Sequence, residues 1–160
     1  MSLNHLRTTA LLLLTLWFSL ILINNLTDPG TNTALIAAVV SMEGLRADPA
    51  FGNGLLWRAV AQPQAFAEVA LKLVIAYQLC LVMLLWRAVW HNVRRSASAQ
   101  ALAAANLGIA LMCLQGVGLM LMGLYFGYWL HFGGPQVVHL LILLSSLGLA
   151  ILFNVQPRTV

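Results

Sequence analysis

The chain has 160 residues, of which 61% are hydrophobic and only 8% charged. A soluble domain carries about 25% charged residues, so these side chains cannot cover a water-facing surface, and a soluble globular protein is excluded. The formal charge of +4 comes from basic residues scattered among apolar runs, a pattern that serves membrane topology and not nucleic acid.

A hydrocarbon core of about 30 Å needs about 20 apolar residues in a helix. Four segments reach that length, at residues 8–26, 65–86, 100–129 and 137–155. They predict an all-α polytopic membrane protein: a four-helix transmembrane bundle forming a single domain over residues 1–160. The first span follows Arg7 as a secretory leader would. It ends in NNLTDPG and not in a small-x-small cleavage site, so an uncleaved helix is expected.

With the N-terminus in the cytoplasm, the inner side holds Arg7, Arg87, Arg94, Arg95 and Arg158. The outer side holds Arg46 and Arg58, diluted by Asp28, Glu43 and Asp48. The excess of arginine predicts that both termini are cytoplasmic.

Residues 27–64 then form one long outer loop. Its DPG at Asp28–Gly30 is a turn signal, and Thr31 or Asn32 is placed to cap a short helix through Ala34–Ser41. DPAFGNG at Asp48–Gly54 breaks the chain again, and Asn53 is placed to cap a helix through Leu55–Val60. Both helices are too short to span and are expected in the outer interface, as a lid over the bundle.

The hexamer LLWRAV occurs at Leu55–Val60 and again at Leu84–Val89. On one straight helix the 29-residue offset amounts to about 43 Å, the thickness of a bilayer with its headgroups, and Pro63 makes that an upper limit. Trp57 with Arg58, and Trp86 with Arg87, are thus expected as interface anchors whose guanidinium groups reach water or phosphate.

NNLTDPGTN (Asn24–Asn32), SME (Ser41–Glu43) and LWRAV (Leu56–Val60), in that order after an apolar first helix, resemble the domain-of-unknown-function 2165 family. Its members are predicted small bacterial integral membrane proteins with four helices. The resemblance implies a bacterial inner membrane, and it implies no activity, cofactor or catalytic residue.

Ionisable residues within spans are functional candidates. Glu68 and Lys72 stand four residues apart on one helical face, suited to an ion pair. His139 enters at similar depth, with His131 and Trp129 near the outer ends of the last two spans. Together these five residues are the candidate ligand site beneath the outer loop. Gln78 and Gln115, near the middle of the second and third spans, are expected to hydrogen-bond each other.

Gly108, Gly116, Gly123 and Gly127, with Ala104, form rows of small residues that let backbones approach, and they predict that the third span is the central or docking helix. Cys80 and Cys113 fall inside apolar runs as packing residues. The sequence carries no HExxH, GxSxG or phosphate-binding glycine loop, and too few histidines in spans to hold haem.

No catalytic residue, cofactor or metal is therefore expected. The leading expectation is a non-catalytic accessory subunit that binds a larger membrane complex, such as a respiratory one, or a copy of itself. The alternative is a lipid- or quinone-binding membrane protein. A transporter ranks last, since no pair of broken helices is evident.

Overall fold

The computed structural model describes residues 2–48, 50, 53–94 and 98–155. Arg95 and Arg158, counted above as orientation signals, lie outside them, as do Pro49 and the side chain of Asn53 with its expected capping role.

Six α-helices make up the described chain: α1 Leu3–Thr27, α2 Pro29–Ser41, α3 Glu43–Ala47, α4 Pro63–Arg94, α5 Ala99–Tyr125 and α6 Gly133–Asn154. Short 3₁₀ turns cover Asn53–Arg58 and Tyr128–Leu130. Helices α1, α4, α5 and α6 are each long and apolar enough to cross a membrane. The fold is an all-α transmembrane bundle with its short helices in the long loop, as expected.

Sequence accounts for where each helix stops. The Ser2 hydroxyl accepts from the His5 N–H and caps α1. At the other end Asp28 leaves the helical region, with φ −132° and ψ 64°, because the proline that follows disfavours helical geometry at the residue before it. Pro29 then opens α2, where its missing N–H costs nothing. The cap of α2 is therefore Asp28, not Thr31 or Asn32, and the helix begins five residues before the apolar run at Ala34. The third span ends at Tyr125 and not at 129. Gly127 takes a left-handed φ of 62°, and hydropathy does not register such a turn.

Two hydrogen bonds locate α1 and α2 against α4. Asn25 Nδ2 donates to Gln78 Oε1 at 2.7 Å, so α1 stops beside the sixteenth residue of α4, about 22 Å from its Pro63 end. At that end Val60 N–H donates to Val40 O at 2.9 Å. The chain between these ties is α2, which stands along the outer half of α4 as a wall instead of lying across the bundle as a lid. Apolar residues Leu35, Ile36 and Val39 made an interfacial helix the natural expectation, but they face the interior.

Helix α4 is the hub, packed on α1, α2 and α5, while α5 lies between α4 and α6. Tyr77 Oη donates to Leu111 O at 2.7 Å between α4 and α5. Asn106 and Asn154 exchange side-chain hydrogen bonds of 3.1 and 3.0 Å between α5 and α6. Arg7 donates to Leu152 O and Val155 O, so both ends of the described chain lie at the same end of the bundle.

One core cluster, including Leu11, Phe18, Leu85 and Met112, fills the end near the termini. A second, of Val40, Met42, Leu45 and Phe126, closes the loop end.

The repeated hexamer is divided between elements. Its first copy lies in the Asn53–Arg58 turn and the stretch leading to α4, and its second lies within α4. Trp57 is exposed, but Arg58 does not reach outward: its Nη1 donates to Tyr125 O at 2.9 Å and its guanidinium lies over the Tyr125 ring. It caps the C-terminus of α5, where unpaired carbonyls attract a cation. Trp86 and Arg87 are exposed, and Trp86 Nε1 donates to Ser19 Oγ. Cys113 packs against the core, whereas Cys80 is exposed.

Gly108, Gly116 and Gly123 of α5, and Gly127 beyond its end, serve contacts within this chain. A Cβ on Gly116 would meet Leu143 N of α6 at 2.9 Å, and one on Gly108 would meet Leu85 Cδ2 of α4 at 2.8 Å. Gly123 is covered by the Tyr128 ring and Gln136, and Gly127 by Leu45. Backbone cannot swing aside as a leucine tip can. Gly116→Ala is therefore expected to cost about 1–3 kcal/mol in unfolding measured in mixed micelles, and Gly108→Ala less. Equal stability of Gly116→Ala and the parent would contradict this packing.

Candidate functional site

Because α1 stops halfway and α2 stands apart from it, a gap opens between the two core clusters. It is a cavity of about 410 Å³, walled by residues from α1, α2, α4, α5 and α6 and by Tyr128. Most of the lining is apolar, with Ile36, Val39, Phe66, Val74, Leu119 and Ile142 among it, and no charged side chain lines it among the described residues. Volume and character match small-molecule sites, which span about 300–1,000 Å³ and set a few polar groups in an apolar wall.

Six polar side chains reach this wall, and their pairing differs. Asn32 Nδ2 donates to Asn25 Oδ1 at 2.9 Å, and Asn25 Nδ2 donates onward to Gln78 Oε1. Three amides from α2, α1 and α4 are thus joined in series. Tyr128 Oη lies 2.7 Å from His139 Nδ1. Burial pushes the Tyr128 phenol up to about 12, so it stays neutral and keeps its proton. Its one partner among the described residues is His139 Nδ1. The two rings share one hydrogen bond, whose donor is the phenol or the ring N–H according to the imidazole tautomer.

Gln115 is different: it is 7% exposed, it lines the cavity, and its Oε1 has no hydrogen-bond partner among the described residues. Leaving a buried acceptor unmatched costs about 1–3 kcal/mol.

A second, more polar pocket of about 370 Å³ adjoins the first and shares Ile21, Asn25 and Asn32 with it. Asn24, Thr27 and Asp28 complete its wall. The Thr31 N–H donates to Asp28 Oδ1 at 3.2 Å, which holds this cap in place.

Of the five residues proposed as a ligand site, only His139 lines the cavity. Glu68 and Lys72 are exposed on the outward face of α4, and among the described residues they form no ion pair within 4.0 Å. Trp129 is exposed. His131 lies 4.0 Å from Asp48 and packs over Gly44. Nor do the two glutamines bond each other as expected. Asn25 takes the Gln78 acceptor, and the open cavity separates Gln115 from it.

Asn25, Asn32 and Tyr128 were not anticipated as site residues. The asparagines stand in the NNLTDPGTN stretch, which read as a helix end; a signal lay in their seven-residue spacing across a Pro-Gly break.

A bundle of four long apolar helices around a mostly apolar cavity defines a multi-pass integral membrane protein. The chain belongs to the DUF2165 family, described as predicted small integral membrane proteins, whose family model matches residues 3–156. No curated protein and no solved structure matches it.

The amide series has a direct test. Asn25→Leu or Gln78→Leu alone is expected to destabilise by about 0.6–2 kcal/mol, the range for interhelical polar pairs in membranes. The double variant should lose less than the sum, because neither amide is then left unmatched. Strict additivity in micellar unfolding would mean that the bond couples nothing.

Proposed function

We propose that this protein binds a membrane-dissolved small molecule with a long apolar portion, a lipid or a quinone, in the cavity between α2, α4, α5 and α6. The observation that carries this reading is an apolar cavity of about 410 Å³ whose wall carries six polar side chains and no charged one among the described residues. A bundle that had evolved only to pack would fill that space with side chains, since interiors reach crystal-like density. The chain's place is the bacterial inner membrane with both termini cytoplasmic, on the arginine distribution described above.

Protein extracted in mild detergent is expected to carry a co-purifying apolar molecule, detected by native mass spectrometry. Ala70→Phe, which fills the cavity from α4, is expected to lose it while keeping its helical circular dichroism. Parent protein that neither retains nor takes up any apolar compound would overturn the reading.

A second reading, an accessory subunit held to another membrane protein, rests on different residues. Asp28, Thr27 and Thr31 are exposed, yet Asn25 lies level with Gln78. Exposed apolar residues of α4 continue beyond that level, Leu73 at 67% and Val69 at 58% exposure, about 7 and 13 Å nearer the loop end. A carboxylate facing lipid at this height calls for a neighbour that presents hydrogen-bond donors. Gly108, Gly116 and Gly123 of α5 do not add to this reading, since each packs within the chain. A photo-crosslinker at Thr27 in native membranes is expected to capture a protein, and Asp28→Ala to abolish the adduct; labelling of lipid alone would remove this reading.

A further inference from the structure

The end of the bundle that holds the termini carries cations without counter-charges. All four Asp and Glu residues of the chain fall between Asp28 and Glu68. Glu68, the one on α4, stands nineteen residues before Arg87, about 28 Å along the helix. Arg7, at the same end as Arg87 and Arg94, commits its guanidinium to the Leu152 and Val155 carbonyls. Arginine hydrogen bonds among the described residues are those of Arg7 and Arg58 alone. Neither Arg87 nor Arg94 has a described carboxylate within 4.0 Å.

Their placement gives these cations one face. Arg87, His91 and Arg94 recur at the helical period and share a side of the last turns of α4. Beside them Trp86, Trp90 and Val93 form a second row, 42%, 55% and 64% exposed, and Met83 extends it toward the middle of the helix. An exposed row of this character, tipped with indoles, suits the boundary between lipid tails and headgroups. Arg94 folds back along the row, its guanidinium 3.8 Å from the Trp90 ring centre, instead of reaching past the helix end into water. Stacking uses the face of the guanidinium and leaves the N–H groups at its edge for an anion.

We propose that this face binds an anionic phospholipid, its phosphate held by Arg87 and Arg94 and a tail lying along Trp90, Trp86 and Met83. A planar guanidinium forks onto two phosphate oxygens, and the Trp90 indole fixes where Arg94 presents its fork. Charge balance selects the head. A zwitterionic lipid brings its own ammonium, whereas an anionic one leaves its charge for arginines that no described carboxylate meets. The apolar row favours a lipid over a soluble phosphate, because head and tail are then taken up together. None of these residues lines the cavity, so the site is independent of what that cavity holds.

The test uses the whole chain in mild detergent, titrated with dioleoyl phosphatidylglycerol or dioleoyl phosphatidylcholine and read by native mass spectrometry. The first phosphatidylglycerol is expected to bind about 25-fold tighter than phosphatidylcholine, about fivefold for each arginine that faces an anionic lipid. Glycerophosphate, a head without tails, is expected not to displace it at equal concentration.

Replacing both arginines, Arg87→Gln with Arg94→Gln, is expected to abolish the preference. Phosphatidylcholine binding and helical circular dichroism should stay, since both side chains are exposed. Arg46→Gln removes a like charge from an exposed position on α3 and is expected to leave the preference intact, which separates a site from net charge. Trp90→Leu keeps every charge and is expected to lose about fivefold of the preference, the share of Arg94. Equal binding of the two lipids by the parent, or the same loss in Arg46→Gln as in the double variant, would overturn the proposal. So would displacement by glycerophosphate, which gives the site to a soluble anion. A dimer that forms without lipid and is lost in the double variant would give this face to a second copy and overturn it too.

Discussion

The hydrogen bond from Asn25 to Gln78 sets the height at which the first helix stops, and most of the architecture depends on it. Neither amide has water to turn to when buried in a bundle surrounded by hydrocarbon, so each must find a protein partner. Asn25 finds Gln78 at 2.7 Å, and Asn32 closes onto Asn25 from the next helix. Pro29 prevents α1 from continuing past this point, and Asp28 supplies the cap that lets a new helix start. The path of the first span is thereby cut in two, and its second half is displaced along α4.

That displacement produces the cavity. An uninterrupted first helix would pass the outer half of α4 at packing distance; a broken one leaves α2 as a separate wall, with α5 and α6 opposite. The α5–α6 seam stays tight where Gly116 meets the Leu143 backbone, so the gap is bounded on that side. At the loop end Arg58 ties the first copy of the hexamer to the last turn of α5, and Val40, Met42, Leu45 and Phe126 seal the top.

Within this space the polar groups divide into matched and unmatched. The amide series and the Tyr128–His139 pair are satisfied within the protein, which makes them scaffold first. Gln115 Oε1 and Gln136 Oε1 are buried acceptors that nothing in the described chain meets.

Composition and hydropathy sufficed for the class of protein, the number of spans and the pairing of the termini at one end, because the solvent acts on every residue alike and its effect accumulates along the chain. DPG read correctly as a break, since proline and aspartate act on their immediate neighbours. The depth of that break was not legible: NNLTD looks the same whether it ends a helix at the surface or beside the middle of another span. Glu68 and Lys72 matched a polar pair by spacing, but which side of α4 faces the interior follows from how α1, α2 and α5 surround it. The partner of Gln78, the isolation of Gln115 and the meeting of Tyr128 with His139 were likewise decided only by tertiary structure, because each depends on distances between helices that local sequence does not encode.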